Sequence, residues 1–118
     1  MKKKVLIVEN DLDIQSIVSY LLELEGYEVA AIAPCSADEL VRHQADLILL
    51  DEWINKMEGH MLCTQIKKVH TMQHIPVVIF STAVNLEEIA KNCQADGFVH
   101  KPFDLQVLID EVKRCCQN

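Results

Sequence analysis

The 118-residue sequence predicts an α/β fold: a doubly wound, five-stranded parallel sheet with helices on both faces. Three observations predict it. Short apolar runs alternate five times with segments whose apolar residues recur at helical spacing. The runs are apolar throughout, as strands covered on both faces must be, and do not alternate apolar with polar. No Pro/Gly/Ser-rich linker divides the chain, so a single domain over residues 1–118 is expected.

The elements follow in order. Val5-Leu6-Ile7-Val8 is the first strand. Ile14, Ile17, Val18, Leu21 and Leu22 then recur on a helical face, and Gly26 stands where a helix C-terminal glycine belongs. Val29 to Ala33 is the second strand. Ser36-Ala37-Asp38-Glu39 is a capping box that opens a short helix. Leu47-Ile48-Leu49-Leu50 is the third strand, flanked by Asp46 and Asp51. A helix over about Met61 to Val69 places Leu62, Ile66 and Val69 on one face. Pro76-Val77-Val78-Ile79-Phe80 is the fourth strand, and Asn85 can cap the helix after it, with Glu87 and Glu88 in the first turn. Gly97-Phe98-Val99 is the fifth strand. Asp104 caps a last helix that carries Leu105, Leu108, Ile109 and Val112.

Composition narrows the function. The net charge of −7 disfavours nucleic acid, whose binding depends on neutralising phosphates with Lys and Arg, and disfavours anionic lipid as well. The longest apolar run is five residues, against about 20 for a membrane helix, so no span is expected. Met1-Lys2-Lys3-Lys4 leads into four apolar residues and then acid, which is a strand and not a secretory leader. The five cysteines are odd in number and form no CxxC pair, so reduced thiols and a cytoplasmic location are expected. The start at Met1, with no tag before it, suggests a standalone module.

Parallel open sheets bind ligands beyond the carboxyl ends of their strands. Glu9, Asn10 and Asp11 follow strand one, Asp51 and Glu52 strand three, Ser81 and Thr82 strand four, and His100, Lys101 and Pro102 strand five. Clustered carboxylates repel, so a positive group belongs among them: Lys101, or a hard divalent cation such as Mg²⁺, which takes oxygen ligands and keeps waters. A carboxylate beside such a cation can attack phosphorus and become an aspartyl phosphate. The lysine and the metal neutralise the transferring phosphoryl group, and a nearby hydroxyl can bond it once formed.

These residues resemble a family. Val5-Leu6-Ile7-Val8-Glu9-Asn10-Asp11, Ala45-Asp46-Leu47-Ile48-Leu49-Leu50-Asp51 with Gly59 eight residues on, Pro76-Val77-Val78-Ile79-Phe80-Ser81 and Lys101-Pro102-Phe103 are similar to the motifs of the CheY-like receiver domain of two-component response regulators. The likeness runs from Lys4 to about Cys115. It implies a flavodoxin-like strand order 2-1-3-4-5. It also implies an aspartate phosphorylated by a histidine kinase or phosphotransfer protein with Mg²⁺, and a conformational switch that controls an output partner. Such a module catalyses only its own phosphorylation and dephosphorylation and is not an enzyme toward other substrates.

The resemblance also implies roles. Asp51 is the phosphoacceptor. Glu9, Asn10, Asp51 and the Trp53 backbone carbonyl are the metal ligands. Ser81 is the switch hydroxyl, Lys101 the phosphate-pairing lysine and Phe98 the switch aromatic. Four positions depart from the pattern: Asn10 is neutral where an acid is usual, Ile54-Asn55 replaces a frequent Met-Pro, Trp53 is bulky at the mouth of the site, and Thr82 stands where a small residue is common. Asn10 leaves a pseudo-receiver, an interaction domain independent of phosphorylation, as the alternative.

Other features carry less. Asp11 is expected mostly to favour the N-terminus of the first helix. Cys63, His70 and His74 do not converge, because the helix ends near His70, so no metal role is expected of them. A flavin carrier on a related topology would need a Ser/Thr/Gly-rich phosphate loop where Glu9-Asn10-Asp11 stands.

Overall fold

The computed structural model describes residues 2–33, 35–51, 53–54, 57–101 and 104–116, with only the backbone described at 53–54 and 57–58. Its elements are β1 (Lys4–Val8), α1 (Leu12–Leu24), β2 (Glu28–Ile32), α2 (Ala37–Leu40), β3 (Leu47–Asp51), β4 (Trp53–Ile54), β5 (Met57–Glu58), α3 (Gly59–Lys68), β6 (Val77–Ser81), α4 (Leu86–Asn92), β7 (Gly97–His100) and α5 (Leu105–Cys116). The five-stranded sheet runs β2-β1-β3-β6-β7, all parallel, which is the order 2-1-3-4-5 of its own strands.

Period two along the strands sorts the core into two layers. Val5, Ile7, Leu47, Leu49, Val78, Phe80 and Val99 face α1 and α5, where they meet Val18, Leu22, Leu108 and Val112. Leu6, Val8, Ile48, Leu50, Val77 and Ile79 face the other way, against Leu40, Leu62, Ile66 and Leu86 of α2, α3 and α4. The three central strands are buried at nearly every position. Each fully buried aliphatic side chain contributes about 1.5–3 kcal/mol relative to exposure.

The turns follow from local chemistry. Asp11 accepts from the N–H groups of Asp13 (2.9 Å) and Ile14 (3.2 Å) and so caps α1. Gly26 takes φ +96°, while Gly26 N–H donates to Glu23 O and Tyr27 N–H to Leu22 O, the paired bonds that end a helix on a left-handed residue. Asp104 Oδ1 accepts from Gln106 N–H at 2.7 Å at the start of α5.

Several expectations need correction. Ile17, assigned to the core face of α1, is about half exposed, because the sheet covers only the stripe through Val18 and Leu22. Asn85 sits at the N-cap of α4, but its side chain makes no capping bond. The second strand spans Glu28–Ile32, one residue earlier than expected, because its register pairs Lys4 with Glu28. The expected loop after Asp51 contains an antiparallel ribbon, with Trp53 opposite Glu58 and Ile54 opposite Met57, and α3 begins at Gly59. Among the described residues no helix is long and apolar enough to cross a membrane.

Candidate functional site

The parity that builds one core layer also builds the site. Extending Val5-Ile7 by two gives Glu9, Leu47-Leu49 gives Asp51, Val78 gives Phe80, and Val99 gives Lys101. Three charged groups and one ring thus reach the carboxyl edge of the sheet from four neighbouring chain segments.

Asp51, the last residue of β3, is almost fully buried. Lys101 Nζ lies 3.0 Å from Asp51 Oδ1 and 3.6 Å from Glu9 Oε2. The same ammonium stands 4.5 Å from the centroid of the Phe80 ring, within cation–π range. The Lys101 N–H donates to Ser81 O at 2.7 Å and so fixes where the chain leaves β7.

Glu9 is 2% exposed. Its Oε1 accepts from the Asp11 N–H at 3.0 Å, whereas Oε2 has no hydrogen-bond donor. Burial, with the neighbouring Asp51 carboxylate, pushes the Glu9 carboxyl up to about 7, against the opposing pull of the Asp11 N–H and the Lys101 ammonium. Asn10 is exposed. The Gln15 amide reaches back from α1 to donate to Glu9 O, and it also reaches Ile32 O at 3.4 Å, tying the acidic loop to the ends of β1 and β2.

Ser81 closes β6 and is buried; its Oγ accepts from the Ala83 N–H at 3.0 Å. A hydroxyl that accepts in this way keeps its own proton to donate. Phe98 is half-buried against the α2–α4 layer and meets His100 edge to face, with ring centroids 5.9 Å apart. Its N–H donates to Glu111 Oε2 at 3.2 Å. The Arg114 guanidinium, 2.7 Å from Glu111, holds that carboxyl below its ordinary range.

The structure therefore brings Glu9, Asp51 and Lys101 together, and puts Ser81 at the same edge. Trp53 contributes backbone to β4 next to this edge, but its indole lies outside the described residues, as do Pro102 and Phe103. Among the described residues no three His, Cys, Asp or Glu side chains are grouped to hold a metal. A cation here would draw on Glu9 and Asp51, completed by the neutral oxygens of Asn10 and the Trp53 carbonyl. The buried, donor-free Glu9 Oε2 fits a hard cation. Cys63 stands apart from this edge and donates its thiol to Cys93 O. A cavity of about 330 Å³ opens at the opposite edge of the sheet, between Lys3, Asp46, His74 and Arg114, away from this chemistry.

Two residues of the site were not singled out in the sequence. Phe80 read only as core. Gln15 stands beside Ile14 and Val18 on the inner side of α1, and a polar residue at such a position was the signal available.

The comparisons agree with this geometry. The family model for the response regulator receiver domain matches residues 5–113. The DNA-binding dual master transcriptional regulator RpaA of Synechocystis sp. is 29% identical over 93% of this chain and 47% of its own length. Adventurous-gliding motility protein Z of Myxococcus xanthus is 31% identical over 89% of this chain and 8% of its own. The chain thus spans less than half the length of these curated relatives. Among solved structures, chemotaxis response regulator CheY4 of Vibrio cholerae aligns with a TM-score of 0.84 at 26% identity, covering 98% of this chain and 99% of that one. A structure from Chloroflexus aurantiacus reaches a TM-score of 0.87 at 20% identity over the whole of both chains, a likeness of fold.

Proposed function

The chain belongs to the response regulator receiver family, and from that membership we propose that Asp51 accepts a phosphoryl group from a histidine kinase or phosphotransfer protein, with Mg²⁺ held beside it, and that the phosphorylated domain switches conformation to control a partner. The observation that carries this reading is the buried Asp51 carboxylate, 3.0 Å from the Lys101 ammonium and beside a Glu9 oxygen that has no donor. A structural ion pair would need only one carboxylate. A second one, buried and incompletely satisfied, calls for a further cation.

The step needs little beyond positioning and charge. An Asp51 carboxylate oxygen attacks phosphorus as the P–N bond of the donor's phosphohistidine breaks. The imidazole leaves with that electron pair and takes up a proton. Lys101 meets the charge on the transferring oxygens, and the Ser81 hydroxyl donates to one of them. Glu9, Asp51, the Asn10 side-chain oxygen and the Trp53 carbonyl would hold Mg²⁺, which supplies charge neutralisation at the phosphoryl group. Ser81 and Phe98 then report the new group toward α4 and β7.

The net charge of −7 supports action on protein partners and not on nucleic acid or anionic lipid, and an odd number of cysteines with no CxxC pair supports a reducing compartment, the cytoplasm. RpaA joins a matching region to a longer, DNA-binding protein; an output function of that kind would lie outside this domain. Incubation with acetyl phosphate tests the reading. Label is expected only with Mg²⁺, is expected to be released by hydroxylamine, and is expected to be lost in Asp51→Asn. Label that persists in Asp51→Asn overturns it, and an unlabelled wild type favours the pseudo-receiver.

A further inference from the structure

We propose that Phe80 is a positioning residue for phosphoryl transfer: its ring holds the Lys101 ammonium beside Asp51. The proposal rests on the phosphoacceptor reading of Asp51. Phe80 is fully buried in β6 and is the register partner of Asp51 on β3, so ring and carboxylate stand level on neighbouring strands. Lys101 Nζ lies 4.5 Å from the ring centroid, and its side chain is only about one-sixth exposed. With most of its side chain out of water, the ammonium is attracted to the electron-rich face of the ring.

The ring differs in kind from the other two partners described for Lys101. The Asp51 carboxylate is consumed when it becomes an acyl phosphate. The Glu9 oxygen is the one a metal ion would claim. The face of Phe80 keeps its charge distribution throughout the reaction. Among the described residues, a lysine on a flexible four-carbon stem therefore has in Phe80 a partner that neither reacts nor changes charge. An aliphatic side chain at residue 80 would offer no such face and leave the ammonium to follow whichever carboxylate is charged.

The test fluorinates the Phe80 ring site-specifically with one, two and then three fluorines, which drains the ring face at nearly constant volume. Phe80→Leu is the aliphatic control, and the unfolding midpoint reports any loss of fold. Two quantities are read: the ring-current shift of the Lys101 ε-methylene protons in resting protein, and the rate of labelling by acetyl phosphate at saturating Mg²⁺. Both are expected to decline stepwise at constant unfolding midpoint, with the rate falling on the order of tenfold across the series. A Lys101 ε-methylene signal with no ring-current shift in the unmodified protein overturns the contact, a shift insensitive to fluorination overturns the ring's hold on the ammonium, and a labelling rate insensitive to it overturns the positioning role. Absence of label on the unmodified protein overturns the phosphoacceptor reading, and this role with it.

Discussion

Lys101 Nζ lies 3.6 Å from Glu9 Oε2, beyond a good hydrogen bond, while Asp51 Oδ1 holds the same ammonium at 3.0 Å. One cation is thus shared unequally between two buried acids. Replacing it as Lys101→Met leaves the acids facing each other. At alkaline pH and without Mg²⁺, a loss of about 1–3 kcal/mol is expected, less than for a fully buried pair because Lys101 is partly exposed. Denaturant unfolding with and without Mg²⁺ checks this, since Mg²⁺ should restore part of the loss. An equal loss in both conditions would count against a cation site between the acids.

The pH response follows from Glu9. Its carboxyl is raised from 4.5 to about 7 in the folded chain. Between those values the folded state holds a proton that the unfolded chain has released, so this group's contribution to stability is full below the lower value and lost as pH climbs through the upper one. Without Mg²⁺, the wild type should lose stability from about pH 5 to about pH 8, while Glu9→Gln shows less of that slope. Identical slopes would mean that Glu9 does not titrate in this window. Mg²⁺ affinity should rise over the same window as the cation displaces the proton.

Asn10 removes one formal charge from the acidic loop. Two unit charges about 4 Å apart interact by on the order of 4 kcal/mol at an effective dielectric near 20, before solvation losses that take back most of it. Asn10→Asp is therefore expected to tighten Mg²⁺ binding measurably, by titration calorimetry. No change, or weaker binding, would place the Asn10 side chain away from the ion.

Gln15 anchors the loop from outside. Gln15→Leu keeps the size of the side chain but abandons the carbonyls of Glu9 and Ile32. Losing these neutral bonds is expected to cost about 1 kcal/mol of stability and several-fold in Mg²⁺ affinity. Gln15→Glu, unable to donate to a carbonyl, should resemble Gln15→Leu or be worse. Full Mg²⁺ affinity in both variants would show that the loop holds itself.

The parallel sheet was legible because its three central strands are buried on both faces, and Val5–Val8, Leu47–Leu50 and Val77–Phe80 therefore announce themselves as apolar runs. Glu9, Asp51 and Lys101 were legible as acids and a base just past such runs, where topology gathers them. Three features were not. The ribbon pairing Trp53 with Glu58 is held by backbone and leaves no periodic trace in four residues. The exposure of Ile17 depends on how wide a stripe of α1 the sheet can cover. The contact between Phe80 and Lys101 depends on which way a long side chain folds over a neighbouring strand, and spacing along the chain does not encode that.

Among the described residues β7 is an outer strand of the sheet, with β6 on one side and no strand on the other. A rim strand offers open N–H and C=O groups that a foreign strand could zip onto. At Phe98 that offer is withdrawn: Glu111 takes the N–H, and Arg114 braces the carboxylate while donating to Asp96 O at 2.8 Å. The last helix thereby lays a charged bolt along the rim, where a visiting strand would have to break an ion pair before it could bond. The helix that shelters one core layer thus also helps keep the sheet at five strands.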